Sequence, residues 1–418
     1  MDAFIINGGK TLKGQISISG AKNAILPIMA AALLAKGKSV PSNVPHLNDF
    51  KNMAHLLRVL GARIDFEDDV MTIDATDVNF WEAPYELVSK MRASIYVMGP
   101  LLARFGKAIV AFPGGCAIGS RPVDLHLMGF EKLGVAIKIE HGNIYAECPH
   151  GLKGATIEFP FISVGATANC LMAAVLAEGE TTLKNVALEP DIDSLIDFLI
   201  LMGAKIFRTK ENDLKIIGVN ELNPSEMKMI PDRIEAGTFL LVSAITKNSF
   251  TVKDCQPKHL DALIEKMILS GCEFEITENT ITTIPPKIIK PVDIITKPYP
   301  NFPTDLQAQF MAYMALANGT SHIQETIYPD RFMHAAELNR LGADITIKDG
   351  AAIIKGVKKL TGAEVMATDL RASAALILAG LVAEGTTHIS RIYHIDRGYE
   401  KIEKKMGGLG ADIRRMLG

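Results

Sequence analysis

Residues 369–383 read DLRASAALILAGLVA, and this run decides the fold. Once past Asp369, Arg371 and Ser373 it is apolar on every face, the pattern of a helix buried on most sides rather than one lying on a surface. Gly385 is placed to supply a left-handed cap. Residues 386–390 are β-rich, and residues 396–409 carry Arg397, Glu400, Lys401, Glu403, Lys404 and Lys405 around Ile402 and Met406, which predicts a half-exposed helix. The same succession recurs along the chain. Its first landmark falls at Gly37, Gly106, Gly179, Asn248, Gly319 and Gly385, and its second at Gly61, Gly134, Gly203, Gly271, Gly342 and Gly410. A spacing of about seventy residues is too long for a solenoid and suits one small α/β unit per copy.

Between the landmarks, residues 62–66 and 70–73 read as strands around Asp68-Asp69, and His141-Gly142-Asn143 offers a similar turn in the second copy. Each unit is therefore expected to run strand, buried helix, strand, outer helix, hairpin. The fold class is α/β, built from six βαβαββ repeats, with three interior helices under three sheets in each of two lobes. Repeat arithmetic puts the lobe boundary near residue 230, where Asn223-Pro224-Ser225 and Pro231 interrupt the pattern.

Composition narrows the function. The chain has 418 residues, enough for about two domains, and 48% of them are apolar. A net charge of −3 offers no general field for nucleic acid or anionic membranes, so anion recognition must come from local clusters. Five cysteines, Cys116, Cys148, Cys170, Cys255 and Cys272, without a Cys-x-x-Cys pair argue against a disulfide framework or a zinc site and favour a reducing compartment. The opening MDAFIINGG and the short apolar run at 24–35 lead us to expect no signal peptide and no membrane anchor. A cytoplasmic protein is the expectation.

The repeats place charge where a bland residue would serve. Lys22, Arg92, Gly165, Glu235, Asp305 and Arg371 stand at roughly equivalent starts of the buried helices. Free N–H groups and the positive dipole end gather there, so Lys22, Arg92 and Arg371 have the wrong sign for helix stabilisation and the right sign for binding an anion, which leaves Asp305 as a candidate base. Arg121, Arg331 and Arg397 lie at the starts of three outer helices, two of them directly after Asp330 and Asp396. Guanidinium groups clustered around one carboxylate suit a small substrate that carries both phosphate and carboxylate. In PGGCAIGSRP (113–122), three glycines and two prolines specify a turn-rich loop with Cys116 near its tip and Arg121 close by. A cationic neighbourhood favours thiolate, making Cys116 a candidate nucleophile or general acid. GQISISGAKN (14–23) fails as a P-loop because no Ser or Thr follows the lysine, and the scattered histidines offer no metal-binding pair.

Several blocks together resemble a known family: SGAKNA around Lys22, KMRAS around Arg92, PGGCAIGSRPVDLH around Cys116, FPTDLQAQ around Asp305, DRFMH at Arg331, TDLRAS at Asp369 and Arg371, and RIYHIDRGYE at Arg397. The sequence is similar over its whole length to the enolpyruvyl transferases that act on UDP-N-acetylglucosamine at the start of peptidoglycan synthesis. The resemblance implies two inside-out α/β lobes, one from 22–229 and one from 1–21 with 230–418, an active site in the cleft between them, and lobe closure driven by the charged substrates. It also implies roles. Lys22, Arg121 and Arg397 would hold the phosphate of phosphoenolpyruvate, and Arg331 and Arg371 its carboxylate. Asn23 and Arg92 would serve the sugar-nucleotide pocket, which Arg121, Pro122, Val123, Asp124, Leu125, Ser163 and Val164 would line. Asp305 and Ile327 would contact the sugar, with Asp305 as base for its 3′-hydroxyl, and Asp369 would join the substrate-binding set. Cys116 would protonate the methylene carbon and can hold phosphoenolpyruvate as a covalent adduct. No metal or organic cofactor is implied. Two other readings stay open at this stage: the shikimate-pathway enolpyruvyl transferase, and a paralogue that binds the sugar nucleotide without turnover.

Overall fold

Apolar runs of ten to fourteen residues can only be helices when buried all round, and the computed structural model, which describes residues 2–112 and 123–418, places them that way. In Leu370–Val382 every residue from Arg371 to Leu381 is buried, and in Arg233–Thr246 every one from Ile234 to Ile245. The other inner helices are Lys22–Ala31, Met98–Phe105, Val164–Ala174 and Gln307–Met314. Each is followed by an amphipathic outer helix, for example Asn48–Val59, which buries Phe50, Met53, Leu56 and Leu57 and exposes its charged side.

The described strands form six four-stranded sheets of one design. In each, a short edge strand runs parallel to its neighbour and two antiparallel strands complete the sheet, as in Glu364–Met366 beside Thr386–Ser390. A parallel pair needs a crossover, and in four of the six sheets the inner helix supplies it. Three of the hairpins close on tight turns with both central residues at positive φ: Asp68 and Asp69 at 46° and 61°, His141 and Gly142 at 49° and 76°, Asp349 and Gly350 at 50° and 73°. Those values fit the type I′ turn, whose twist matches that of the strands.

The chain divides into two compact units, one of residues 2–19 and 231–418, the other of residues 20–112 and 123–230. Each has its own apolar core and three of the sheets, with its inner helices packed on one another. The expected class, α/β with six βαβαββ repeats, is the one observed. Two strands are exchanged between repeats. Gln15–Ser17, which precedes the first inner helix, pairs in parallel with Thr251–Lys253 of the fourth repeat. Glu226–Lys228, which precedes the fourth inner helix, pairs with Lys38–Ser42 of the first. Ala3–Asn7 completes the sheet of the sixth repeat between Thr386–Ser390 and Asp412–Met416.

Three local readings need correction. Gly385, with φ of 91°, does not cap its helix; Ala383 does, in extended conformation, and Gly385 turns the chain into the next strand. Gly37, Gly179 and Gly319 likewise stand just before a strand, because a helix-to-strand reversal within a few residues passes through the left-handed region that glycine occupies without strain. In the fourth copy that conformation falls on Lys247 (φ 54°) rather than on Asn248. Finally, the last outer helix spans only Ile402–Leu409, and Arg397 ends a separate 3-10 turn, Ile392–Arg397.

Candidate active site

In the unit that holds the C-terminal half, charge gathers at Asp305, in the 3-10 turn Thr304–Leu306 ahead of the fifth inner helix. Its Oδ1 accepts a hydrogen bond from Arg331 Nη1 at 2.9 Å and its Oδ2 one from Arg371 Nη2 at 2.8 Å. The two arginine side chains are only 5% and 2% exposed, against 25% for Asp305. Guanidinium groups buried that deeply need a counter-charge, and this carboxylate is it. Burial by itself would raise the Asp305 pKa, but Arg371 and Arg331 outweigh it and hold the carboxyl well below the usual carboxylate range. Arg371 keeps its charge because Asp305 more than offsets its burial.

Arg371 is held from several sides. Asp369 caps the sixth inner helix, its Oδ1 accepting from the Arg371 and Ala372 amides at 2.8 and 3.1 Å. The Tyr399 ring centroid lies 5.5 Å from its guanidinium, and the Tyr399 hydroxyl shares a buried network with Thr238 (2.8 Å) and Gln309 (3.2 Å). Arg371 Nη1 is buried and has no hydrogen-bond partner among the described residues. Arg397 is half-buried in the same unit, where its charge, after burial, helps to lower the His394 pKa. Asp396 serves Arg415, at 2.6 Å, and Ile327 is half-buried in the loop after Thr320–Gln324.

In the other unit Lys22 opens the first inner helix, and its Nζ lies 2.9 Å from Asp49 Oδ2, both residues being buried. Asn23 and Arg92 are half-buried, Arg92 at the start of the 3-10 turn Arg92–Val97. Ser163 caps the third inner helix, with Oγ 3.3 Å from the Ala166 amide, and Val164 begins that helix. Val123 and Leu125 are buried beside the exposed Asp124 at the head of Asp124–Lys132. One residue further, His126 is buried and lies 3.0 Å from Asn169 Nδ2. Burial, with help from the charge of Arg92, pushes its pKa down to about 3, so the ring is neutral. Asn169 also accepts from the Gly99 amide at 2.8 Å and donates to the Ile95 carbonyl at 2.9 Å, tying the second repeat to the third. Gly165, uncharged among ionisable counterparts, is small because a Cβ there would stand 3.0 Å from His126 Nε2.

Cys116, Arg121 and Pro122 lie outside the described residues. The other four cysteines are buried and unpaired, and burial raises every one of their thiols, Cys170 to about 12. That fits small apolar residues rather than nucleophiles. Among the described residues no helix is long and apolar enough to cross a membrane.

A family model described as EPSP synthase (3-phosphoshikimate 1-carboxyvinyltransferase) matches residues 6–406. UDP-N-acetylglucosamine 1-carboxyvinyltransferase of Chloroherpeton thalassium is 55% identical over 99% of this chain and 97% of its own length. The protein of the same name from Trichlorobacter lovleyi is 53% identical over 100% of this chain and 99% of its own. The chain belongs to the UDP-N-acetylglucosamine 1-carboxyvinyltransferase family. Among solved structures, the enolpyruvyl transferase NikO from Streptomyces tendae superposes with a TM-score of 0.91 at 24% identity, covering 100% of this chain and 99% of its own. An EPSP synthase from Acinetobacter baumannii gives 0.76 at 19%, with 100% of both chains covered. At such identities the likeness shows that the carboxyvinyltransferase fold is shared and nothing finer.

Within this carboxyvinyltransferase, sequence reading missed the residues that hold the charged groups. Asp49 and Glu325 carry no motif of their own, nor does Asn169, which bonds only neutral groups, and Thr304 stands in FPTDLQAQ only as the neighbour of Asp305. Asp49 left one signal, an acidic residue in the first turn of an outer helix, which dipole complementarity explains equally well.

Proposed function

We propose that this chain transfers the enolpyruvyl group of phosphoenolpyruvate to the 3′-hydroxyl of UDP-N-acetylglucosamine and releases phosphate, the first committed step of peptidoglycan synthesis. Family membership supplies the reaction class, and the observation that carries the reading is Asp305 held between Arg331 and Arg371. Two buried guanidiniums on one carboxylate make a seat of the right charge and shape for the carboxylate of the donor, and Arg371 Nη1 adds a donor with no acceptor among the described residues.

With Arg371 and Arg331 both on its carboxylate, Asp305 is a poor base because they stabilise its anion. A donor carboxylate that takes over Arg331 and Arg371 would return basicity to Asp305, so that proton abstraction awaits donor binding. The sugar oxygen then attacks the central carbon of the enolpyruvyl group as Asp305 takes the hydroxyl proton. Cys116 gives a proton to the methylene carbon, forming a tetrahedral phospho-lactyl species. Loss of phosphate with removal of a methyl proton yields the enolpyruvyl ether. Lys22, Arg121 and Arg397 are assigned to the phosphate. Asn23, Arg92, Val123, Asp124, Leu125, Ser163, Val164 and Ile327 are assigned to the sugar nucleotide, with Asp369 supporting through the helix it caps. Cys116 is the position for a covalent phosphoenolpyruvate adduct. We place the reaction in the cytoplasm, in keeping with cysteines that form no disulfide framework.

Phosphate release from phosphoenolpyruvate tests this, measured with UDP-N-acetylglucosamine and then with shikimate 3-phosphate as acceptor. Release with the sugar nucleotide alone is expected. Release only with shikimate 3-phosphate would move the assignment to the other branch of the fold, and binding without release would make the chain a non-catalytic paralogue.

A further inference from the structure

Glu325 is 3% exposed and takes no part in the reaction proposed above, yet both of its oxygens are engaged. Oε1 accepts from Thr296 Oγ1 at 2.7 Å, from the Ile327 amide at 2.8 Å and from the Tyr328 amide at 3.0 Å. Oε2 accepts from Thr304 Oγ1 at 2.8 Å. Thr304 Oγ1 in turn accepts from Arg331 Nη1 at 2.9 Å, the same nitrogen that reaches Asp305 Oδ1. Thr296 Oγ1 closes the set by accepting from the Thr326 amide at 2.9 Å.

A hydroxyl has one proton to give. A carboxylate on Glu325 can only accept, so the Thr304 proton points to Glu325 and a lone pair of Thr304 faces Arg331. The chain Glu325, Thr304, Arg331 thus has one direction, set at its buried end. We infer that Glu325 is a positioning residue: through Thr304 it orients Arg331 to receive the carboxylate of the enolpyruvyl donor. This rests on the donor role proposed above for Arg331.

Glu325→Gln separates this from a merely structural role. Three donors face the Oε1 position, two of them backbone amides that cannot reverse, so the amide oxygen must take that place and the loop at 326–328 keeps its anchor. The amide nitrogen then faces Thr304 and donates to it. Thr304 must turn its proton away, and Arg331 meets an oxygen already engaged by a second donor. The KM for phosphoenolpyruvate should rise roughly tenfold or more, the scale of one hydrogen bond to a charged group. The KM for UDP-N-acetylglucosamine should stay within about threefold, and the melting temperature should change little. Thr304→Val should reproduce the effect, and Thr304→Ser should restore near-normal KM. The double variant E325Q/T304V should cost no more than either change alone, because both break one relay.

Additive effects in the double variant would overturn the inference. So would a normal KM for phosphoenolpyruvate in folded E325Q, or an equal rise in both KM values together with a fall in melting temperature. Absence of turnover in the unaltered protein is a different result: it would remove the functional reading, and this inference with it.

Discussion

The two units share a repeat design but join neighbouring repeats by different physics. In the unit with the C-terminal half, the lock is ionic: Asp305 joins Arg331 of its own repeat to Arg371 of the next. In the other, repeats are joined by a neutral amide, Asn169, bonded to a neutral imidazole and to main-chain groups at Ile95 and Gly99. An ionic lock can be opened by a competing anion, and a neutral one cannot. Placing the ionic lock where a charged donor is proposed to bind makes that contact exchangeable, while the amide contact between repeats in the other unit carries no charge to exchange.

The largest effect that would sharpen this contrast is catalytic. Asp305→Ala should lower turnover by roughly 10²–10⁴-fold, the range for loss of a general base, with sugar-nucleotide affinity nearly unchanged. Phosphate release and calorimetric binding would read the two, and retained turnover would remove Asp305 from the base position. Next comes stability. Asp305→Asn leaves two buried arginines without their counter-charge and should cost about 3 kcal/mol, the low end for a broken buried pair because Asp305 still reaches solvent. Asn169→Ala, which strands a buried amide and a buried carbonyl, should cost about 2 kcal/mol on the same denaturation curves.

The pH dependence of those two losses is the direct test. Asp305 has a folded pKa below its unfolded one, so its stabilisation is complete above the ordinary carboxylate range and drains away as pH falls through that range toward the depressed value. The gap between the parent protein and Asp305→Asn should narrow in acid. The Asn169→Ala gap should stay flat from about pH 8 to about pH 5, since His126, with a pKa of about 3, remains neutral throughout. Equal pH sensitivity of the two gaps would break the contrast. The smallest effect is at a helix end: Ser163→Ala removes a cap bond of 3.3 Å and should cost about 0.5–1 kcal/mol in thermal melts.

Much of this was legible without coordinates. The all-round apolar runs marked the six inner helices, and the second set of glycines marked six closing turns that all have positive φ. Lys22, Arg92, Asp305 and Arg371 stood out because their charge at a buried helix start required a reason. The reason itself was hidden. Lys22 and Arg371 read as open anion sites, whereas each faces a carboxylate of the protein, Asp49 and Asp305. Asp396 read as a companion of Arg397 and belongs to Arg415. Asn169 was invisible because one polar residue in an apolar run looks the same whether it organises a site or merely satisfies a neighbour, and Glu325, between Gln324 and Thr326, read as an ordinary polar residue of a loop.

The amino-acid sequence by itself determined the repeat, the helices and the turns, since these depend on steric and periodic rules acting over a few residues. Tertiary structure alone decided which strand completes which sheet, as with Ala3–Asn7 in the sixth repeat and Gln15–Ser17 in the fourth. It also decided which charge answers which, as with Asp305 and Arg371, 66 residues apart. Such pairings depend on burial and through-space distance, because a charge withdrawn from water must find its partner wherever the packed chain has brought one.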